Sequence, residues 1–346
     1  MMPMHPFNEE AISGGLTTAW AGRPLVFLES TGSTNSDVMA LADQGSPQGT
    51  LVVSSQQTAG KGRRGRTWIS PADVNIYMSI LLRPTMPPDK VPMTTLVMAL
   101  AVQQALEKRF PPATYGCRFG IKWPNDIVVL PAGELEPANE AEAANGAKEP
   151  GEQEAPASAG KICGILTEMR VDGTKIRDVV VGIGINVNMT RMPDEIRTSA
   201  ASLRSALEEV AARAAGKAGE GAAKAAAEGE DAAGTTAGDN TCTIPELDRA
   251  QITADVWNEF EPLYETFSKA ESLLPLKEKY ESVLVNTGRR VRVLDPQDPY
   301  EGTALGITEG GELIVMRDAD LESGAGGTLC HVGNGEISVR GIEGYI

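Results

Sequence analysis

Two apolar segments joined by a glycine- and arginine-rich loop constrain the fold of this chain more than any other feature. GTLVVSS (49–55) and NIYMSILL (75–82) have the length and composition of buried strands. The loop between them reads GKGRRGRT from Gly60 to Thr67, one residue away from the phosphate-loop pattern GxxxxGK[ST]. A phosphate loop must continue into a helix whose N-terminus holds the phosphates, whereas TWISPADVN, with Pro71, leads into a strand here. We therefore reject a phosphate-loop NTPase.

The remaining patterns predict a mixed α/β domain followed by a small β domain. Helical patterns occur in STNSDVMALADQG, in TTLVMALAVQQALEKRF before Pro111, around SLRSALEEV and in ELDRAQITADVWNEFEPLYETF. Strand patterns occur in LVFLE, IKWPNDIVVL, KICGILTEMRV and IRDVVVGIGINVN. From about Thr287 the chain changes to short alternating strands with turns, which indicates a small barrel of about 60 residues.

Two acidic segments interrupt these patterns. Residues 131–160 hold seven glutamates against one lysine, and residues 208–242 hold seven acidic against three basic side chains. Both are rich in Ala, Gly and Glu, so they cannot bury enough apolar surface to offset the entropy of ordering. We predict solvated insertions at about 132–159 and 208–243, and a role as acidic interaction loops stays open. The domain boundaries that follow are a tail (1–22), a main domain (23–285) and a C-terminal domain (286–346).

The composition excludes several function classes. The 346 residues carry a net charge of −16, and no run of 18 uncharged apolar residues or signal-peptide pattern is present. We expect a cytoplasmic protein without a membrane anchor. The four cysteines lie far apart without a CxxC pair, which argues against a zinc site or a disulfide framework. His5 and His331 are the only histidines, so histidine-based catalysis has few candidates.

The loop from Gly60 to Trp68 is suited to holding an anion. Its glycines let the backbone approach a ligand, and its guanidinium groups can bind carboxylate or phosphate oxygens bidentately. A solvated basic loop and a nucleic-acid patch are the alternatives. This cluster of four basic residues is confined to one loop of an acidic chain, and the loop holds no aromatic residue besides Trp68, which disfavours nucleic acid.

Three further stretches combine polar residues with strand ends. IKWPND (121–126) joins a lysine to an Asn-Asp pair, and GKICGI places Lys161 at the start of a strand. VVGIGINVN alternates Gly182 and Gly184 before Asn186, and this alternation would let a flat ligand lie against the strand. Each stretch alone is equally compatible with a structural role.

Taken together and in this order, STN, QTAGKGRRGRTW, KWPND, GKICGI and VGIGIN closely resemble the biotin protein ligases, or biotin–[acetyl-CoA-carboxylase] ligases. The resemblance spans about residues 25–346, apart from the two insertions. It implies an α/β (α+β) catalytic domain with a mixed sheet, related to class II aminoacyl-tRNA synthetases, followed by an SH3-like barrel.

The resemblance also implies site residues. Those for biotin and its surroundings are Ser33, Thr34, Asn35, Gln57, Lys61, Gly62, Arg63, Lys161 and Gly164. Those for ATP and the adenylate are Arg63, Arg66, Trp68, Asn125, Asp126, Asn186 and Arg340. The implied catalytic residues are Lys161, Arg63 and Lys122. Lys61 stands where many family members have arginine, which removes a bidentate contact. Lys161 directly follows the first insertion, so its placement is the least secure.

The implied reaction converts biotin and MgATP to biotinyl-AMP and then transfers biotin to a lysine of a biotin carboxyl carrier domain. Mg²⁺ enters with ATP, and no protein ligand to it is assigned. We expect a monofunctional ligase, a monomer or a homodimer, without the N-terminal DNA-binding domain of ligase-repressors and without DNA binding. Lipoate or octanoate transfer, and a sensor that binds biotinyl-AMP without transferring it, are the alternatives.

Overall fold

The computed structural model describes residues 5–131, 160–212, 244–318, 327–333 and 337–342. The two predicted insertions lie outside these ranges, apart from residues 208–212. Those five residues continue a helix over residues 203–212, so the second insertion does not begin at residue 208 as expected. The reason is that the apolar period of SLRSALEEV buries Leu203, Ala206 and Leu207 against the core.

The predicted helices and strands occur in the predicted order, and the structure adds three short helices and one further strand. The described helices are α1 (Glu9–Gly15), α2 (Thr34–Asp43), α3 (Met93–Arg109), α4 (Pro112–Tyr115), α5 (203–212), α6 (Arg249–Ala270) and α7 (Lys277–Glu281). The first seven strands are β1 (Leu25–Leu28), β2 (Leu51–Ser54), β3 (Ile76–Leu82), β4 (Cys117–Lys122), β5 (Asp126–Pro131), β6 (Lys161–Asp172) and β7 (Lys175–Ile185). The last five are β8 (Arg290–Leu294), β9 (Tyr300–Ile307), β10 (Leu313–Arg317), β11 (Thr328–Val332) and β12 (Ser338–Gly341).

The main domain is built on a seven-stranded mixed sheet with the order β1-β2-β3-β7-β6-β5-β4. The β1–β2 pair is parallel, and every other neighbouring pair is antiparallel. β2 and β3 flank the glycine- and arginine-rich loop and pair with each other, so the predicted strand–loop–strand arrangement is confirmed.

Helices cover both faces of this sheet, and the side-chain period of two in each strand separates the two cores. On one face, α2 packs Val38 and Ala42 against Val52, Leu81 and Val180. We call this the α2 face of the sheet. On the opposite face α3 and α6 form the larger core, which includes the alternate residues of the same strands, such as Leu51, Val53 and Ile80.

The stretch IKWPNDIVVL is not one strand, as its apolar content suggested. β4 and β5 form an antiparallel hairpin that turns at residues 123–125. Pro124 has no N–H to donate to a strand ladder, so the strand ends there. Consequently Lys122 and Asp126, which lie on the two sides of the turn, face each other as a paired position of the hairpin.

Residues 9–21 are part of the folded domain and not a loose tail. In α1, Ile12 is fully buried against the core, and the helix packs on α6. The Glu261 carboxylate in α6 then accepts three backbone N–H groups, from residues 19–21, at 2.7–2.8 Å. Side chains on a helix that is distant in sequence therefore help to fix this segment, and the local sequence pattern does not reveal this.

The C-terminal domain is a five-stranded antiparallel sheet with the order β11-β10-β9-β8-β12. The fold class expected from the sequence, a mixed α/β domain followed by a small β domain, is confirmed. Trp123 joins the two domains: its indole N–H donates to the Gly311 carbonyl at 3.0 Å, and its backbone N–H donates to Asn286 Oδ1 at 2.8 Å. Within the described ranges, no helix is both long and apolar enough to cross a bilayer.

Candidate active site

The residues singled out in the sequence meet in two adjoining cavities at one end of the seven-stranded sheet. The inner cavity, of about 50 Å³, lies on the α2 face. All nine residues that the resemblance assigns to biotin line it: Ser33, Thr34, Asn35, Gln57, Lys61, Gly62, Arg63, Lys161 and Gly164. The outer cavity, of about 430 Å³, opens toward the C-terminal domain. It is lined by all seven residues assigned to the nucleotide: Arg63, Arg66, Trp68, Asn125, Asp126, Asn186 and Arg340.

The glycine alternation in β7 makes room for two side chains of the protein itself. A Cβ on Gly182 would lie 2.0 Å from Asn35 Oδ1, and a Cβ on Gly184 would lie 2.4 Å from Trp68 Nε1. Gly164 on β6 likewise leaves space for the Trp68 ring. The asparagine and the indole therefore occupy the space beside these glycines in this structure, and the expectation that a flat ligand lies against the strand stays a prediction.

Trp68 closes the inner cavity. Its ring crosses the two strands at the glycines and lies 5.1 Å from the Lys161 ammonium. The cavity is much smaller than the roughly 300 Å³ at which ligand pockets begin, so the loop that carries Trp68 must shift before a ligand of that size can enter. The indole N–H is buried and has no hydrogen-bond partner among the described residues.

The loop is fixed by hydrogen bonds to three different parts of the fold. The Lys61 ammonium donates to Ser36 in α2 at 2.9 Å, and Arg63 donates to Asn125 Oδ1 at 2.8 Å. Arg64, which has a left-handed backbone conformation (φ 60°), donates to Ser338 in β12 at 3.1 Å. The loop therefore covers both cavities and touches the C-terminal domain.

Lys161 lies where the two cavities meet, although an insertion precedes it in the sequence. Its position is set by β6, which runs between β5 and β7. The ammonium contacts Asp126 Oδ1 at 2.5 Å, and both side chains are largely buried. Asp126 is on β5 just after the hairpin turn, so the carboxylate balances the charge of Lys161 and holds it at the junction.

Lys122 is buried, with 5% of its surface exposed. Burial and, to a smaller extent, the positive charges of Lys161, Arg340 and Arg66 together lower its pKa to about 8, against the opposing effect of Asp126. Burial also lowers the pKa of Arg63, with smaller contributions from Arg66 and Arg64. A negatively charged ligand would relieve this accumulation of positive charge.

The outer cavity concentrates cations in an otherwise acidic protein. Among the described residues, six basic side chains and a single carboxylate, Asp126, line it. Arg340 enters from β12 of the C-terminal domain, and Asn186 follows the end of β7. The Asn186 amide donates to the Ala201 carbonyl at 3.1 Å, which joins the end of β7 to the segment before α5. Within the described residues no group of three or more His, Cys, Asp or Glu side chains could hold a metal ion.

Beneath the inner cavity, the sequence analysis named Thr34, Asn35 and Gln57 but missed their hydrogen-bond partners Ser70, Ser79 and Glu168. The Gln57 side chain accepts the Thr34 backbone N–H at 2.9 Å and donates to Ser70 at 3.1 Å. Ser79 in β3 and Glu168 in β6 also take part, through hydrogen bonds to Asn35. A strand period of two places Ser79 on the same face as Leu81, and this was the available signal for a polar group under α2.

Comparisons with known proteins agree with this arrangement. Residues 27–186 match a family model for the biotin/lipoate A/B protein ligase family, so the main domain is that of a protein ligase. Residues 287–340 match the biotin protein ligase C-terminal domain. The bifunctional ligase/repressor BirA of Bacillus spizizenii is 31% identical over 327 residues, covering 92% of this chain and 79% of that protein. The chain therefore belongs to the biotin protein ligase family.

Two further relatives give the same family or fold. The biotin–[acetyl-CoA-carboxylase] ligase of Mycobacterium tuberculosis is 31% identical over 203 residues, covering 57% of this chain and 62% of that protein. The structure of the biotin protein ligase from Aquifex aeolicus in complex with biotin and ATP superposes with a TM-score of 0.59 at 23% identity. That superposition covers 92% of this chain and 98% of the Aquifex chain, and it supports the fold.

Proposed function

We propose that this protein activates biotin with MgATP to give biotinyl-AMP and pyrophosphate, and then transfers biotin to a lysine of a biotin carboxyl carrier domain. The observation that carries the proposal is the junction of the two cavities. Five residues line both of them: Gly62, Arg63, Trp68, Asn125 and Lys161. A carboxylate in the inner cavity and an α-phosphate in the outer cavity would meet between Arg63 and Lys161.

The first step needs positioned charge and no protein nucleophile. The biotin carboxylate attacks the α-phosphorus of MgATP, a P–O bond forms, and pyrophosphate leaves with the electron pair of the broken bond. Lys161 and Arg63 bring the two anions together and offset their mutual repulsion, and Lys122 stabilises charge on the phosphate oxygens. Mg²⁺ is bound to ATP as substrate and supplies further neutralisation of the triphosphate. No histidine among the described residues lines either cavity, and the reaction requires none.

The loop protects the product of this step. Biotinyl-AMP is a mixed anhydride that water hydrolyses, and a closed cover over both cavities keeps water out. The hydrogen bonds of Lys61, Arg63 and Arg64 to three different parts of the fold hold such a cover in place. Lys61 bonds to Ser36 on α2, so it supports the loop even without the bidentate geometry of an arginine.

The second step needs access for a lysine of the carrier domain. A third cavity, of about 510 Å³, lies beside the loop and shares Arg63, Ile165 and Leu166 with the inner cavity. It offers the acceptor amine a route to the activated carbonyl. The amine attacks the carbonyl carbon, AMP leaves with the electron pair of the broken C–O bond, and the amine loses a proton.

Exchange of labelled pyrophosphate into ATP tests the activation step. We expect exchange that depends on biotin and MgATP, and a loss of about 10²-fold or more in Lys161→Ala, because an electrostatic contact to the reacting groups is removed. Lys175→Ala is the matched control, since Lys175 is an exposed lysine at the opposite end of the β6–β7 hairpin. Exchange that requires lipoate or octanoate and ignores biotin would favour the lipoate reading, and no exchange with any of these acids would refute activation.

A further inference from the structure

Four side chains form a continuous line of hydrogen bonds along the α2 face, beneath the inner cavity. Thr34 Oγ1 lies 2.7 Å from Ser79 Oγ, Ser79 Oγ lies 2.6 Å from Asn35 Oδ1, and Asn35 Nδ2 lies 2.5 Å from Glu168 Oε2. We call these groups the Thr34–Glu168 relay. Ser79 is fully buried, Thr34 and Asn35 are nearly so, and Glu168 is half-buried.

Glu168, at one end of the relay, determines which groups donate hydrogen bonds along it and which accept them. An ionised carboxylate can only accept hydrogen bonds, so the Asn35 amide must turn its Nδ2 toward Glu168. The opposite orientation would put two oxygen atoms 2.5 Å apart. Asn35 Oδ1 therefore faces Ser79, and the absence of a side chain at Gly182 leaves room for the amide in this position.

The orientation of Asn35 in turn determines that Ser79 and Thr34 both donate toward Asn35. Asn35 Oδ1 can only accept, so the single proton of the Ser79 hydroxyl goes to it, and Ser79 Oγ must accept the proton of Thr34. Gln57 Oε1 accepts the Thr34 backbone N–H and lies 3.2 Å from Thr34 Oγ1. If the Thr34 hydroxyl donated to Gln57 instead, the oxygens of Thr34 and Ser79 would lie 2.7 Å apart with no proton between them. Thr34 lines the inner cavity. Its hydroxyl gives its proton to Ser79, so toward a ligand it can only accept a hydrogen bond.

We infer that Glu168 is a specificity-determining positioning residue: through Asn35 and Ser79 it makes Thr34 a hydrogen-bond acceptor for an N–H of the ligand. This inference rests on the proposed function. The ureido ring of biotin has two N–H donors, whereas an oxygen in the same place would put a lone pair against the lone pair of Thr34. Glu168 acts through the relay and needs no contact with the substrate.

Two cyclic carbamate analogues of biotin, in which oxygen replaces one or the other ureido N–H, test the inference. In pyrophosphate exchange, we expect the wild-type protein to show a KM about tenfold or more higher for one carbamate than for biotin, since one hydrogen bond is replaced by a repulsive contact. In Glu168→Gln the new amide can donate as well as accept, so the relay can run in reverse and Thr34 can donate. The KM ratio should then fall to within about threefold, with the biotin KM raised.

Ser79→Ala interrupts the relay in the middle and should lower the KM ratio in the same way while Glu168 keeps its charge. Because the two residues act in one line, the double variant should have no larger effect than either single one. Glu107→Gln is the matched control: Glu107 is also a half-buried carboxylate, but it accepts hydrogen bonds from Arg118 and from the Phe119 N–H at the far edge of the sheet.

The outcomes separate the inference from the proposed function. A wild-type protein that activates biotin and both carbamates equally well would overturn the inference, and so would a Glu168→Gln or Ser79→Ala variant that keeps the wild-type KM ratio. In both cases biotin activation itself would stand. A wild-type protein without biotin-dependent exchange would refute the proposed function, and the inference with it. If Glu168→Gln does not fold, the KM ratio of Ser79→Ala alone tests the inference.

Discussion

Replacing Gly184 by alanine should displace Trp68 and impair activation much more than it impairs folding. The added Cβ would lie 2.4 Å from Trp68 Nε1 and 2.5 Å from Cε2, so the ring must retreat by about 1 Å to restore an ordinary contact of 3.4 Å. Overpacking of this kind costs about 1–3 kcal/mol of stability. A displacement of about 1 Å beside the reacting groups can cost on the order of 10²-fold in rate, and the Lys161 ammonium lies only 5.1 Å from the Trp68 ring.

The assay combines urea unfolding with steady-state pyrophosphate exchange at varied biotin concentration. Gly14→Ala is the matched control, because a Cβ on Gly14 would meet nothing within 4 Å and the position is remote in α1. We expect Gly184→Ala to remain folded, with biotin activation reduced by about two orders of magnitude, and Gly14→Ala to retain full activity. Wild-type kinetics in Gly184→Ala would refute the inference that the position of Trp68 over this glycine supports activation.

Three further predictions follow from the geometry. Arg63→Ala removes the hydrogen bond to Asn125 from the loop, so biotinyl-AMP should escape and label lysines of a bystander protein such as albumin; strictly carrier-specific labelling would contradict the covering role. The pKa of Lys122, about 8, lies below the ordinary 10.5, so the side chain loses its charge as the pH rises through 8. We therefore expect kcat/KM for MgATP to fall over that pH range. A flat profile to pH 9.5, or the same fall in Lys122→Arg, would show that Lys122 is not the cause. Glu261→Ala leaves the backbone N–H groups of residues 19–21 without their acceptor, so it should lower the free energy of unfolding by about 3 kcal/mol in a urea titration. Glu278 is exposed, and Glu278→Ala should change the free energy of unfolding by less than about 0.5 kcal/mol in the same titration.

Much of the fold could be predicted because local patterns and packing agree. The period of α3 and the apolar runs of β2, β3 and β7 indicate the same layers that the structure shows. Two predictions were wrong for different reasons. A distant contact decides the first, because Glu261 draws residues 19–21 onto α6. The second is local, because Pro124 inside one apolar run ends β4 and separates it from β5.

The candidate site could be assembled from motifs in the sequence, but its internal contacts could not. The structure brings all the named residues into two adjoining cavities, while their individual roles stay predictions. The contact of Trp68 with Gly184 joins a loop to a strand more than a hundred residues later, and no periodicity encodes it. The hydrogen bond between Asn35 and Glu168 is similarly distant in sequence, so the polarity of the inner cavity becomes visible only in three dimensions.

The mass of an apo biotin carboxyl carrier domain after incubation with the purified protein, biotin and MgATP tests the central claim most directly. We predict a gain of one biotinyl group on a single lysine, with one pyrophosphate released for each group transferred. A carrier of unchanged mass alongside steady pyrophosphate exchange would indicate a protein that forms the adenylate without transferring it to this acceptor. A carrier modified with lipoate and not with biotin would contradict the account.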